Sequence, residues 1–255
     1  MKSMIFAAGL GTRLKPITDT LPKALVPVAG APLIEHVTRK LKASGVEEAV
    51  VNVHHFADMV EDWAEHQDIM PMQVSDEREL LLETGGGILK ARRYLEDCGS
   101  FLVHNVDILS DLDIRWFASQ VHEDALATLL VSERETSRYL LFETETMRLV
   151  GWTNVKTGEV RSPYPDLCPD SCVRMAFSGI HMISDKIFGV MEEYVKEKGL
   201  CDGSHSPRFP IIDFYLSVCA DHPVYGVPAS ELRLIDVGKL DSLEQAEKMA
   251  HSLVQ

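Results

Sequence analysis

No stretch of this sequence approaches the roughly eighteen consecutive apolar residues that a membrane-spanning helix needs, which excludes a helical transmembrane protein. Basic residues are scarce beside acidic ones: 25 Lys and Arg against 39 Asp and Glu, for a formal net charge of −14. So acidic a chain is repelled by phosphate backbones and by anionic bilayers, which argues against a general nucleic-acid or membrane-surface binder. It also means that any phosphate site must be assembled locally. Cysteines are few and odd in number: Cys98, Cys168, Cys172, Cys201 and Cys219. The one close pair, Cys168-Pro-Asp-Ser-Cys172, lacks a usual zinc spacing and has no second pair to complete a site, so reduced thiols without a metal are expected. Met1-Lys2-Ser3 leads at once into an apolar run, from which no signal segment and a cytoplasmic protein are expected. Gly-Lys followed by Ser or Thr, the core of a P-loop, occurs nowhere.

What is present is concentrated at the start. Met4-Ile5-Phe6-Ala7-Ala8 reads as a buried strand and empties into Gly9-Leu10-Gly11-Thr12-Arg13-Leu14. Glycines there let successive backbone N–H groups approach a ligand, a concavity suited to phosphate. Arg13 adds a planar fork and Lys23 a point charge for the same anion. A dinucleotide fingerprint would need a third glycine running into a helix, but Leu14 stands in that place and Pro16 follows. The ligand implied is a polyphosphate.

The whole stretch, Ala7-Ala8-Gly9-Leu10-Gly11-Thr12-Arg13-Leu14 followed by Pro22-Lys23-Ala24-Leu25-Val26-Pro27-Val28, resembles the signature of the sugar-1-phosphate nucleotidyltransferases. The resemblance implies that this loop embraces a nucleoside triphosphate through Ala8, Gly9, Gly11 and Thr12, with Arg13 and Lys23 as the catalytic phosphate contacts. It further implies a three-layer αβα nucleotide-binding fold, Rossmann-like and of the nucleotide-diphospho-sugar transferase kind, whose sheet is mixed but mainly parallel.

Further along, apolar periodicity predicts a helix from Leu33 ended by Gly45, a strand at 47–53, a helix at about 56–66 and a third strand at 72–74. This alternation demands crossovers and a parallel sheet covered on both faces. Glu83-Thr84-Gly85-Gly86-Gly87 is a poor helix opening by propensity, reasonable if Thr84 caps it and the glycines lie against a flat ligand. In the family a segment like this contacts base and ribose, which assigns Glu83, Gly85 and Gly86 to the nucleotide, and Asn105 with them. The wording resembles most closely the uridylyltransferases acting on N-acetylmuramate 1-phosphate, and heptose-1-phosphate guanylyltransferases carry a similar segment.

The strand at 101–107 ends in Asp107, where open α/β sheets bind ligands, and Mg²⁺ is held by one or two carboxylates plus substrate phosphates. Asp236 lies within the apolar stretch Leu232-Arg233-Leu234-Ile235-Asp236-Val237-Gly238, where an unpaired carboxylate is costly, so a metal or a basic partner is expected. It matches the family's Asp-Val-Gly. Between 139 and 173 the pattern weakens into a small β-rich lobe without the Glu-Lys pair that many relatives use for the sugar phosphate. Trp152, by stacking, and Asn154, by hydrogen bonding, are candidates in its place, and Gly179 matches a family glycine that lets a sugar lie against the backbone.

The reading is a single nucleotidyltransferase domain over 1–255, with an NTP-binding half at 1–135 and a sugar-phosphate-binding half at 136–255. It would make an NDP-sugar and pyrophosphate from an NTP, expected to be UTP, and N-acetylmuramate 1-phosphate in cell-wall sugar recycling, using Mg²⁺ on Asp107 and Asp236. Two alternatives stand beside it: a guanylyl- or cytidylyltransferase for another sugar phosphate or phosphocholine, and a catalytically silent nucleotide-sugar sensor. Neither nucleic acid nor membrane is an expected partner, and oligomeric state is left open.

Overall fold

Strands that read as unbroken apolar runs become the middle of the sheet, because a strand covered on both faces has no polar side to show. In the computed structural model, which describes residues 1–200 and 206–253, β1 (Lys2–Phe6) is such a strand. Two short strands, β2 (Pro27–Val28) and β3 (Ala31–Pro32), turn the chain into helix α1 (Leu33–Ala43). Leu33, Ile34, Val37 and Leu41 form the buried stripe of α1, and Gly45, at φ +89°, follows its C-cap Ser44. Then come β4 (Glu48–Val53), α2 (Ala57–His66), β5 (Met72–Asp76), α3 (Glu83–Lys90) and α4 (Arg92–Leu95). After these lie β6 (Ser100–Asn105), β7 (Ile108–Ser110), α5 (Ile114–Ser119) and β8 (Ala127–Ser132). The weakly periodic stretch resolves into β9 (Arg138–Phe142), β10 (Leu149–Asn154) and β11 (Glu159–Arg161). The chain closes with β12 (Val173–Ser184), α6 (Ile187–Glu197), α7 (Ile211–Val218), β13 (Val224–Pro228), β14 (Leu234–Asp236) and α8 (Leu240–Leu253). Cys201, one of the cysteines expected as reduced thiols, lies outside the described residues.

One sheet runs through both halves of the sequence in the order β11-β10-β9-β12-β6-β1-β4-β5, with β8 also on β12 and β13 on β8. The β6-β1-β4-β5 portion is parallel and β12 is antiparallel to β6, giving the mixed sheet expected. Alternate side chains of β1 show the layering: Ile5 joins a core built with α1, α2, α5 and α8, while Met4 joins one built with α3, α4, α6 and α7. Among the described residues no helix is long and apolar enough to cross a membrane.

The register of β12 places the second half relative to the first. Ile180 pairs with His104 near the end of β6, so residues before Gly179 run on past the carboxyl edge of the parallel strands. There Val173–Met175 pair with β9, and the β9-β10-β11 lobe is attached at that edge.

Two histidines, His104 and His181, are buried. The Nδ1 of His181 shares a 2.8 Å hydrogen bond with the Tyr215 hydroxyl, and burial pushes its pKa down to about 3. His104, with Nδ1 2.8 Å from the Asn105 carbonyl, is pushed down to about 4 by the same cause. Folded, both stay neutral, whereas the unfolded chain protonates them near pH 6.5, so their stabilising contribution is complete above that pH and is lost toward pH 4 and below. Urea midpoints should therefore fall between pH 7.5 and 5, by a total on the order of a few kcal/mol, and less so in His181→Gln. A flat profile across that range would show that neither ring resists protonation.

Candidate active site

The carboxyl ends of β1, β4 and β6 open into one cleft of about 510 Å³. Its floor begins where β1 stops. Ala7 and Ala8 turn their N–H groups inward to Asn52 Oδ1, at 2.8 and 3.3 Å, and the chain then runs freely through Gly9 and Leu10. Gly11 adopts φ +63°, and a Cβ there would stand 2.9 Å from Thr18 Cγ2 and 3.1 Å from Lys23 Cβ. Both the backbone angle and the close approach require glycine. Thr18 Oγ1 donates to the Gly11 carbonyl at 2.8 Å and pins the turn. Among the described residues no protein acceptor takes the N–H of Gly9, Leu10 or Gly11. A loop with unspent donors facing a cleft is an anion cradle.

Arg13 and Lys23 both line this cleft with Ala8, Gly9, Gly11 and Thr12, so the loop residues singled out from the sequence come together. Lys23 is only 9% exposed and forms an ion pair with Asp107 Oδ2. That pairing was not legible in the sequence, where the partners are 84 positions apart. Asn105 and Asp107 line the opposite side, at the end of β6.

From the far end of the chain Gly238 lines the cleft, while Asp236, two residues earlier, does not. Strand β14 pairs antiparallel with β7, placing Asp236 opposite Ile108, and Val237 N donates to the Asp107 carbonyl at 2.8 Å. The ladder and that hydrogen bond bring the backbone at Asp236 and Val237 beside the backbone at Asp107 and Ile108. Asp111 secures the ladder by accepting from Arg233 N at 3.0 Å and Nε at 2.7 Å, while Asp113 caps α5. Asp236 Oδ1 is buried and without a hydrogen-bond partner among the described residues. A Cβ on Gly238 would lie 2.7 Å from both that oxygen and Arg13 Nη2, so the glycine leaves room for guanidinium and carboxylate to converge.

The glycine triad behaves differently from expectation. Helix α3 does open at Glu83, but its N-cap is Leu82, and Thr84 Oγ1 instead accepts from Ile211 N at 2.9 Å, tying α3 to α7. Gly85 and Gly86, assigned to the nucleotide, present their side-chain positions to protein. A Cβ on Gly85 would lie 2.3 Å from the Phe209 ring, and one on Gly86 2.3 Å from the Pro207 carbonyl oxygen. Their N–H groups donate to the Phe209 carbonyl at 2.9 and 3.2 Å. They are small because the 207–209 segment crosses the helix there. Gly86→Val should accordingly destabilise the fold by about 2–3 kcal/mol or more, as overpacking of a filled site does, with a clear drop in Tm. An unchanged Tm with weakened nucleotide binding would return Gly86 to the cleft. Glu83 does line the cleft, held at φ +62° and bridged to Arg208 Nη2 at 2.9 Å. A left-handed non-glycine residue beside a ligand cleft is the kind of strain that functional sites carry.

The acceptor candidates lie apart from this cleft, each engaged with protein. Asn154 closes the β10–β11 hairpin: its Oδ1 accepts from Lys156 N at 3.1 Å and its carbonyl from Gly158 N at 2.8 Å. Trp152 has the Arg161 guanidinium 4.5 Å over its ring, and Arg161 Nη1 donates to Asp213 at 2.8 Å. Gly179, at φ +74°, admits the Asn105 amide, whose Nδ2 would be 2.7 Å from a Cβ there. None of these three residues lines the cleft. Asn52, Leu81, Thr84 and Pro210 do, although the sequence did not point to them as ligand contacts. Only their positions after strands or beside the glycine triad could have signalled it.

Comparison with known proteins agrees with this geometry. Residues 2–150 match the family described as Nucleotidyl transferase. An N-acetylmuramate alpha-1-phosphate uridylyltransferase of Caulobacter vibrioides is 50% identical over 109 residues, 41% of this chain and 45% of that protein. A protein of the same name from Neisseria meningitidis is 41% identical over 115 residues, 44% of this chain and 49% of that one. The matched stretch thus spans just under half the length of each relative. In fold, the inositol-1-phosphate CTP transferase from T. maritima superimposes with a TM-score of 0.74 at 15% identity, covering 100% of this chain and 96% of that one.

Proposed function

This chain belongs to the nucleotidyl transferase family, and on that premise we propose that it couples a nucleoside triphosphate to a sugar 1-phosphate, releasing pyrophosphate. The observation that carries the reading is the convergence in one cleft of the donor-rich loop, Arg13, Lys23, Asn105 and Asp107. An oxygen of the sugar phosphate attacks the α-phosphorus in line; the bond to the α,β-bridging oxygen breaks and pyrophosphate leaves with that electron pair. Little proton chemistry is needed, so rate comes from positioning and from neutralising charge. Unspent N–H groups of Gly9 and Gly11 cradle the phosphates. Lys23 stabilises the charge that builds on the α-phosphate, and Arg13 draws the leaving pyrophosphate.

The acid pair fits a hard cation. Asp236 Oδ1 is buried and without a hydrogen-bond partner among the described residues, Val237 N donates to the Asp107 carbonyl, and two carboxylates that converge on phosphate would favour a cation between them. Among the described residues no group of three or more His, Cys, Asp or Glu side chains is placed to hold an ion, so Asp107 and Asp236 would hold Mg²⁺ together with phosphate oxygens. When bound, the ion would supply positive charge to offset the negative charge of the phosphates.

UTP and N-acetylmuramate 1-phosphate are the proposed substrates, on the strength of the two partly aligned relatives of that name. Four NTPs assayed against a set of sugar 1-phosphates, with pyrophosphate release as the readout, test the assignment. Turnover is expected with UTP and N-acetylmuramate 1-phosphate. Preference for GTP with a heptose or mannose phosphate, or for CTP with phosphocholine, would reassign the substrate, and nucleotide binding without pyrophosphate would make the protein a sensor.

A further inference from the structure

Glu77 is wholly buried, carries no salt bridge to a described residue, and is absent from the chemistry above. Burial raises its pKa, the expected cost of holding a carboxyl group away from water. Its two oxygens are nevertheless both used. Oε1 accepts from Asn52 Nδ2 at 2.8 Å, and Oε2 accepts from the Leu82 N–H at 3.0 Å. Asn52 in turn accepts from the N–H groups of Ala7 and Ala8. Gly87 leaves the carboxylate its space, since a Cβ there would stand 2.9 Å from Oε1.

These four bonds run from the first residues of the phosphate loop, through Asn52 and Glu77, to the backbone that opens α3. Ala7 and Ala8 line one wall of the cleft, and Leu81 and Glu83 line the other. We infer that Glu77 is a positioning residue: with Asn52 it forms a polar strut that fixes the separation of the loop cradling the phosphates from the segment facing the rest of the nucleotide. The inference rests on the functional reading above and assigns the strut to nucleotide binding, upstream of the chemical step.

The donor pattern makes the strut directional and so testable. A glutamine at 77 has one acceptor where two are needed, so Glu77→Gln sets N–H against N–H at Leu82 or at Asn52. Rotating the Asn52 amide only moves the conflict to Ala7 and Ala8. Asn52→Asp combined with Glu77→Gln restores every pair: the aspartate accepts from Ala7, Ala8 and the glutamine amide, and the glutamine oxygen accepts from Leu82. Two readouts are taken, the kinetic constants for UTP and hydrogen exchange at the Ala7, Ala8 and Leu82 amides.

In Glu77→Gln, KM for UTP is expected to rise about tenfold or more with kcat changing less than about threefold, and the three amides to exchange faster. The double variant should regain amide protection and part of the lost affinity, a coupling that independent sites do not show. Gly87→Ala, which displaces the carboxylate without changing its charge, serves if Glu77→Gln does not fold. Unchanged KM and exchange would overturn the inference, and so would a fall in Tm with KM unmoved, or a double variant no better than the single. A wild-type protein that turns over no NTP would refute the functional reading instead, while the exchange comparison would still decide whether the strut exists.

Discussion

Asp107→Asn and Asp236→Asn are each expected to lower kcat by about a thousandfold or more. Charge stabilisation of several kcal/mol is at stake in such a site, and each 1.36 kcal/mol is a factor of about ten in rate. The two variants should part company in stability. Asp107 is paired with Lys23, so removing its charge leaves a largely buried ammonium without a partner, and Tm should fall. Asp236 Oδ1 has no hydrogen-bond partner among the described residues, so neutralising that group should leave Tm unchanged or raise it. Equal loss of activity with opposite effects on stability is the signature of two carboxylates retained for a cation. Mn²⁺ titrated into the resting protein and followed by its EPR signal gives a readout independent of turnover: both variants should bind more weakly. Wild-type rates in either variant, or indifference of the wild type to chelator, would end the proposal that they share an ion.

Lys23→Ala should reduce both kcat and kcat/KM, by about a hundredfold or more, the scale of losing one preorganised donor to a transition state. The ion pair complicates the interpretation, because the same substitution frees Asp107. Comparing Asp107→Asn with the double variant resolves it. If Lys23 acts on the phosphate, the double variant is slower than Asp107→Asn alone; if it serves only to hold Asp107, the two are equal. A change confined to KM would make Lys23 a ground-state contact.

The sequence was most legible where local pattern and tertiary role coincide. The apolar runs of β1 and β6 had to be buried strands, and Gly9-Leu10-Gly11 with Arg13 and Lys23 falls within a short span, so its convergence needed no knowledge of the fold. Asp107 and Asp236 were visible as acids at odds with apolar surroundings, and the β7–β14 ladder brings their backbones to one end of the sheet. The glycine triad misled because glycine signals a close approach without saying what approaches, and here it is Pro207 and Phe209. Trp152 and Asn154 were ambiguous for a related reason: aromatic stacking and amide hydrogen bonding serve an arginine and a hairpin, as here, as well as a sugar. The Glu77–Asn52 bond joins residues 25 positions apart and leaves no periodic mark, so nothing short of coordinates could reveal it.

Strand β12 has a consequence for how the chain can be divided. Its later residues complete the sheet beside β6, while its first three hold the β9 lobe, so the two halves of the sequence share one continuous backbone. A fragment stopping at residue 135 would retain the phosphate loop, Lys23 and Asp107, and would cover nearly all of the region that matches the family. It would also strip the neighbour from β6 along Ser100–His104, exposing a row of unpaired amides flanked by Phe101, Leu102 and Val103. Such an edge is a template for another chain. The amino-terminal half should therefore aggregate when expressed alone, even though it carries most of the residues assigned to the nucleotide.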